Sequence, residues 1–425
     1  MISLKNLLGS EGNILSDRSL QLLLLANMVY PMGTTMISPM LESLIIPLST
    51  TPAAVGLLVT AFFIPLMVLS PIAGGIADVY GRKPLLIIGL LIFGFSGLLM
   101  TFSTSFLLTV LLRLLQGIGG ACILPVVVTS LGDLYTGTAS ATAQGLRSTS
   151  HGVSGSIFPI FSGVLVLVAW NYPFLLYIVP IPIALILYLF LEEPSTHISQ
   201  GNSANPNRIS LKTILQKVPS LLLFPRLSAA ILGMFLTSFV FTAYITYSSL
   251  IIVLGISGTA GQAGILVSLF SASSAIAATQ SGRIYSYFKH LVYPFSALSI
   301  IIGGGLIVVA LSQSLLQMAI GASCIGIGFG ILFSLNRVLI LEFAPEDFRG
   351  ILISFGETAK GAGATLAPVI MGLIFILLQS HGHLDLVPAL RLTNVIVGFL
   401  AIIAGIFLSF IAVSKKPEKI DMSAF

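Results

Sequence analysis

The sequence predicts an all-α integral membrane protein, with twelve transmembrane helices in two pseudo-symmetric six-helix bundles. Three observations carry that expectation. Apolar runs of about twenty residues recur from Leu20 to Val413, each long enough to cross a bilayer as a helix. The connections between runs alternate between charged and uncharged. The two halves of the chain match each other at an offset of about 208 residues.

Composition supports the first observation. Of 425 residues, 56% are hydrophobic and 8% charged, and the mean hydropathy is +1.07. Soluble domains carry about a quarter charged residues. The net charge of +5 does not indicate nucleic acid, because the basic residues sit in short segments between apolar runs. Cys122 and Cys324 lie inside apolar runs and read as small core residues, not as a disulfide or metal framework. Residues 1–18 precede a run too long for a cleavable signal peptide.

Spans are expected near 20–45, 53–77, 84–103, 107–133, 140–167, 173–191, 227–253, 260–285, 291–311, 316–341, 350–378 and 391–413. One set of connections holds Arg82, Lys83, Arg208, Lys212, Lys217, Arg226, Arg283, Lys289, Arg349, Lys415, Lys416 and Lys419. The other set is uncharged at 48–52, 101–105, 255–261 and 311–314. Only its last loop is polar, with His381, His383, Asp385 and Arg391; the two histidines read as a solvated loop more readily than as a metal site. By the positive-inside rule the basic set is cytoplasmic, which puts both termini in the cytoplasm and the chain in the inner (plasma) membrane.

The long polar stretch divides the chain into 1–191, a linker 192–225 and 226–425. Within it, 195–207 reads as flexible linker and 209–218 as an amphipathic helix on the inner membrane surface. The halves repeat: Gly56 falls on Gly264 and Gly74 on Gly282, and a shift one residue longer lays Gly117-Ile118-Gly119 on Gly326-Ile327-Gly328, Asp133 on Glu342, Pro159 on Pro368 and Gly163 on Gly372. Two parallel repeats of six spans are an architecture in which a solute path lies between the halves.

Two motifs stand out. Gly74-Gly75-Ile76-Ala77-Asp78-Val79-Tyr80-Gly81-Arg82-Lys83 joins spans two and three, and Arg113-Leu114-Leu115-Gln116-Gly117-Ile118-Gly119-Gly120-Ala121 lies in span four. They resemble the loop signature G-x-x-x-D-(R/K)-x-G-R-K and the span-four signature R-x-x-Q-G-x-G-x-A of the major facilitator superfamily of secondary transporters. The resemblance covers essentially the whole chain and is closest to the drug/proton antiporter branch. It implies that Asp78 faces a helix N-terminus in the other half and that Arg82 pairs with Asp133, latching a cytoplasmic gate. It also implies proton coupling at Arg113, for which the alternative is a structural arginine satisfied by backbone carbonyls of span one. Val79 stands where the loop signature has a basic residue. In span five, Pro159 and Gly163 match the antiporter pattern G-x-x-x-G-P-x-x-G-G, but Ser154, Phe158 and Ser162 replace its glycines. Pro159 bends that span, and Gly117, Gly119 and Gly163 allow close helix packing.

Ionisable residues inside apolar spans are costly and mark functional candidates. Arg147 and His151 are four apart on one face of span five, and Glu357 lies one turn before Lys360 in span eleven. Facing inward, they make a cationic cluster with one carboxylate that could bind an anionic group while Glu357 or His151 exchanges a proton. Arg147 could instead snorkel to the interface, and Glu357 and Lys360 could simply neutralise each other. Glu42 is either a protonatable cavity residue or an interfacial acid. Arg337 reads as a structural anchor at the inner end of span ten. Gln116, Tyr244 and Tyr247 are candidates for the substrate cavity, the tyrosines with Phe239 and Phe241 as an aromatic wall that plain packing explains equally.

No G-x-x-x-x-G-K-[ST] motif occurs, so ATP drive is not expected, and the resemblance implies a transporter, not an enzyme. The expected protein is a monomeric proton-coupled efflux antiporter for small amphiphilic or anionic compounds. It meets membrane lipid and protons, needs no cofactor beyond the proton gradient, and binds no nucleic acid. A proton symporter that imports solute, a non-transporting receptor and a channel are the competing expectations.

Overall fold

The computed structural model describes residues 14, 16–135, 137–193, 221, 224–287, 292–345 and 349–413. The side chains of a few helical residues, Asp78 among them, fall outside that description, as do the expected linker 195–207 and amphipathic helix 209–218. Among the described residues there is no strand. The long helices are α1 (Arg18–Met40), α2 (Leu57–Tyr80), α3 (Arg82–Leu99), α4 (Phe106–Leu134), α5 (Gly137–Val166), α6 (Tyr172–Phe190), α7 (Pro225–Leu250), α8 (Ala260–Ala278), α9 (Val292–Leu311), α10 (Leu315–Phe343), α11 (Arg349–Ser380) and α12 (Leu386–Val413). Among the described residues, ten of these are long and apolar enough to span a bilayer, and Leu57–Ser70 of α2 is a shorter apolar stretch. The remaining helix, α5, is rich in Thr, Ser, Gln, Arg and His through its first half.

The chain packs as two compact units: Met1–Ile198 with Ser248–Ala272, and Ser199–Tyr247 with Ser273–Phe425. The segment Ser248–Ala272 thus packs with helices that come before the long polar stretch. Gly163 of α5 stands against the Ala260 carbonyl, and Gly264 of α8 against the Pro159 carbonyl. Helix α7 ends in one turn of π-helix, Ile251–Gly255, and Ser257 and Gly258 turn the chain into α8.

The burial pattern is that of a protein whose solvent is lipid. Large apolar residues such as Phe399, Ile403, Phe407 and Phe410 of α12 are more than half exposed, while Thr242, Thr246, Ser249 and Thr393 are fully buried. Hydrocarbon satisfies no hydrogen bond, so polar groups turn inward and bond to the backbone: Thr246 donates to the Thr242 carbonyl at 2.7 Å and Thr393 to that of Ala389 at 2.8 Å.

Helix α1 is not the continuous span expected at 20–45. Pro31 and Pro39 begin new short helical segments and supply no N–H to the ladder. Carbonyls along α1 take donors from neighbouring helices instead: Met28 from the Ser154 hydroxyl, Met32 from the Tyr177 phenol at 3.1 Å, and Met36 from the Ser162 hydroxyl at 2.7 Å. Two of these donors, Ser154 and Ser162, occupy places where the antiporter pattern has glycine.

Candidate functional site

In the first unit, the end where α2 turns into α3 is a knot of charged contacts. Gly81 has φ +94°, which closes the turn sharply because only glycine adopts it without strain. The turn starts α3 at Arg82, whose guanidinium pairs with Asp133 at the end of α4; the Arg82 side chain is only 8% exposed. Glu193, just beyond α6, accepts from the Arg82 N–H at 2.5 Å and the Lys83 N–H at 3.2 Å. A carboxylate there satisfies two of the unpaired donors at the α3 N-terminus and meets its positive dipole end. Nearby, Asp17 caps α1 through the Ser19 N–H at 2.8 Å and accepts from the Tyr135 phenol. Burial, and then that carboxylate, push Tyr135 above the ordinary phenol range. Gly74 and Asp78 lie on the last turns of α2, and their packing is outside the described side chains.

Arg113 is fully buried. Its Nε donates to the Leu58 carbonyl at 2.9 Å, Nη2 to the Gly33 carbonyl at 2.9 Å and Nη1 to Gln116 Oε1 at 2.6 Å, and the guanidinium lies 4.7 Å from the centre of the Phe62 ring. Gln116, also fully buried, donates on to the Phe93 carbonyl at 3.5 Å. This is a clamp that ties α4 to α1, α2 and α3. Neither residue opens to a cavity in this arrangement.

On α5, Arg147 and His151 are both half-buried. Arg147 Nε donates to Gln144 Oε1 at 2.9 Å, and the His151 ring lies 5.6 Å from that of Tyr30. Asn27 donates to the Arg147 carbonyl at 2.9 Å and to Ser150 Oγ at 2.8 Å, which docks α1 there. Glu42 is half-buried in a short 3₁₀ turn after α1.

The second unit gathers the mid-span charges. Glu357 of α11 pairs with Arg337 of α10 and, at 3.4 Å, with Lys360 one turn along its own helix. Both cations lie over the Phe333 ring, Arg337 at 5.3 Å and Lys360 at 4.9 Å from its centre. The three charged side chains are 22–40% exposed, so the cluster is neither sealed nor freely solvated. Arg337, read from the sequence as an anchor, is therefore part of the cluster. Tyr244 and Tyr247 of α7 are almost completely buried, with the Tyr247 phenol donating to the Pro368 carbonyl at 3.2 Å, so they pack between helices and line no open surface. At the end of α10, Glu342 accepts from the Tyr285 phenol of the short helix Ser281–Tyr287 at 2.7 Å. Burial, and then Glu342, push that phenol up to about 12.

Sequence reasoning did not place Glu193, and it placed Arg337 as an anchor without its partner Glu357. Glu193 carries a weak signal, an acid directly after the last residue of span six. Arg337 carries none, because its partner lies on another helix.

The sequence model of the Major Facilitator Superfamily matches residues 23–368 and 258–423. The chain belongs to that superfamily. This places it among membrane transporters and not among enzymes. The multidrug transporter protein MdtP of Bacillus subtilis is 31% identical over 166 residues, 39% of this chain and 30% of that protein. The bacillibactin exporter of the same organism is 32% identical over 154 residues, 35% of this chain and 38% of the exporter. These alignments span only about a third of either relative. A crystal structure of a bacterial homologue of the human lysosomal transporter Spinster matches with TM-score 0.74, covering 93% of this chain and 95% of that one at 17% identity. At that identity the likeness establishes the fold, twelve helices of the major facilitator type.

Proposed function

We propose that this superfamily member is a proton-coupled secondary transporter that exports small amphiphilic organic compounds by alternating access in exchange for protons. The observation that supports it most is the half-exposed Glu357 carboxylate, held between Arg337 and Lys360 inside apolar helices. An ionised cluster at that depth is retained at a cost, which a role in moving charge repays. The bacillibactin exporter, 32% identical over the 154 aligned residues, favours the outward direction.

In this reading the Arg82–Asp133 pair, with Glu193 on the α3 N-terminus, Gly74 and Asp78 at the end of α2 and Gly81 in the turn, forms a latch that is made in one state of the cycle and released in the other. His151 and Glu42 are further groups that can carry a proton, and Arg113 with Gln116 holds the first unit together. In this reading the basic connections are cytoplasmic, as are both termini, and the protein works as a monomer in the plasma membrane. The energy source is the proton gradient, with no cofactor.

The test is transport in proteoliposomes under an imposed pH gradient. An exporter of this kind moves a fluorescent amphiphile against the proton flow, and Glu357→Gln abolishes the dependence on the gradient. Transport that ignores the gradient in the parent protein would refute the coupling.

A further inference from the structure

The charge cluster of the second unit sits at one end of an aromatic ladder. Phe333 stacks on Phe329, with ring centres 5.7 Å apart and planes 7° from parallel, and Phe329 meets Phe241 of α7 at 5.0 Å. All three rings are half-exposed, as are Arg337, Glu357 and Lys360. With Glu357 ionised the cluster carries one net positive charge. Flat apolar faces ending in two cations match a flat ring ending in a carboxylate: the faces stack, and the guanidinium fork takes the carboxylate oxygens.

We propose that this cluster is a binding site for planar aryl carboxylates, in which Glu357 is the built-in occupant that the ligand's carboxylate displaces. The proposal rests on the reading above that substrate and proton meet at this cluster. Its charge balance is definite. When the ligand takes Arg337 and Lys360, Glu357 is left in an apolar helix without its partners and takes up one proton from water. One anion and one proton enter together, and the net charge of the site does not change.

The other groups packed on α11 do not substitute for Glu357. From α7, Met234 stands against Gly356 and Phe235 against Gly363, and neither titrates; the Tyr247 phenol is buried on the Pro368 carbonyl, about three turns from Glu357. Helix α12 holds a single charged residue, Arg391, near its start, and α10 holds Glu342, which is engaged by Tyr285. Proton coupling at binding therefore depends on ligand charge: an aryl carboxylate brings one proton with it, whereas a cationic amphiphile meets Glu357 already ionised and brings none.

Calorimetric titration of the detergent-purified full chain tests this, with 1-naphthoate, cyclohexanecarboxylate and 1-naphthylmethylammonium as probes. Repeating each titration in buffers of different ionisation heat counts the protons taken up. Naphthoate is expected to bind with uptake approaching one proton, and the ammonium probe with no proton uptake. Glu357→Gln should bind naphthoate about fivefold tighter with no uptake, the scale of removing one partly exposed ion pair. Phe333→Leu should lose naphthoate about fivefold relative to cyclohexanecarboxylate, the scale of one aromatic pair, with proton uptake retained. Naphthoate binding without proton uptake, weaker binding by Glu357→Gln, or equal binding of the anionic and cationic probes overturns the proposal. If Glu357→Gln does not fold, the proton count of the parent protein and the Phe333→Leu selectivity decide it. Gradient-driven export measured in parallel separates the two readings. Export without naphthoate binding removes the aryl carboxylate site alone, and naphthoate binding with proton uptake but no transport removes the exporter alone.

Discussion

Gly119 and Gly328 hold matching places in the two units, each pressed against the helix that precedes its own. A Cβ at Gly119 would lie 2.6 Å from both the Gly89 carbonyl oxygen and the Phe93 nitrogen; one at Gly328 would meet the Ile302 side chain and, at 3.2 Å, the Leu298 carbonyl oxygen. Gly89 and Leu298, like Phe93 and Ile302, are themselves related by the offset that relates the glycines, so the repeat extends from sequence to helix packing. Backbone cannot yield as a flexible side chain can, and overpacking of this kind costs about 1–3 kcal/mol. Gly119→Ala is expected to lower thermal stability in detergent measurably. Gly304→Ala, at a site with nothing within 4 Å, is expected to leave it unchanged or raise it slightly.

The Arg113 clamp makes a second expectation concrete. Lysine keeps the charge but cannot reach Leu58, Gly33 and Gln116 together, since it lacks the planar fork. Arg113→Lys should therefore destabilise the first unit by about 2–4 kcal/mol through unsatisfied buried groups. The check is thermal unfolding together with the pH profile of transport. A clamp lowers stability and leaves the profile's midpoint in place, while a shifted midpoint at unchanged stability would assign Arg113 to proton coupling.

At the latch, Asp133→Asn leaves the Arg82 guanidinium buried beside a neutral partner. Because Asp133 is one-third exposed, solvent screening limits the loss to about 1–2 kcal/mol. Glu193→Gln weakens the charge on the α3 N-terminus and should cost about 0.5–1 kcal/mol. Both variants are expected to slow turnover while binding of an amphiphilic dye stays within twofold or so of the parent, as for a gate that does not touch substrate. Weakened binding at unchanged maximal rate would contradict the latch.

Tyr285 supplies a pH dependence. Its phenol is held near 12 in the folded protein against 10.0 for the free group, so the folded state favours the protonated form. That contribution is complete below pH 10 and disappears as the pH rises through 12. Over this window the parent protein should lose stability faster than Tyr285→Phe, which carries no ionisable group there. Parallel alkaline unfolding curves would count against the Tyr285–Glu342 contact.

Much of the fold is legible in the order of residues. Run length and charge alternation depend on local composition alone, and they locate the helices to within a few residues. Span one is the instructive departure. Its hydropathy is continuous, but Pro31 and Pro39 interrupt the ladder, and hydropathy is blind to a missing N–H. The site is legible only in part. Glu357 and Lys360 are one turn apart and visible as a pair, whereas Arg337 and Phe333 join them across helices. Tyr244, Tyr247 and Gln116 have the residue types of a cavity wall but are buried, because residue type does not say which side of a helix meets a neighbour.

By itself, then, the sequence determined the class of solvent, the number and order of the helices, and the internal repeat, since each follows from which residues are adjacent along the chain. Tertiary structure alone decided which charges share a partner: Arg113 with carbonyls on two neighbouring helices, Glu193 on the start of α3, and Arg337 with Glu357. In a medium that hydrates nothing, a charged group must find its partner within a few ångströms, and those distances are set by helix packing, which local sequence does not encode.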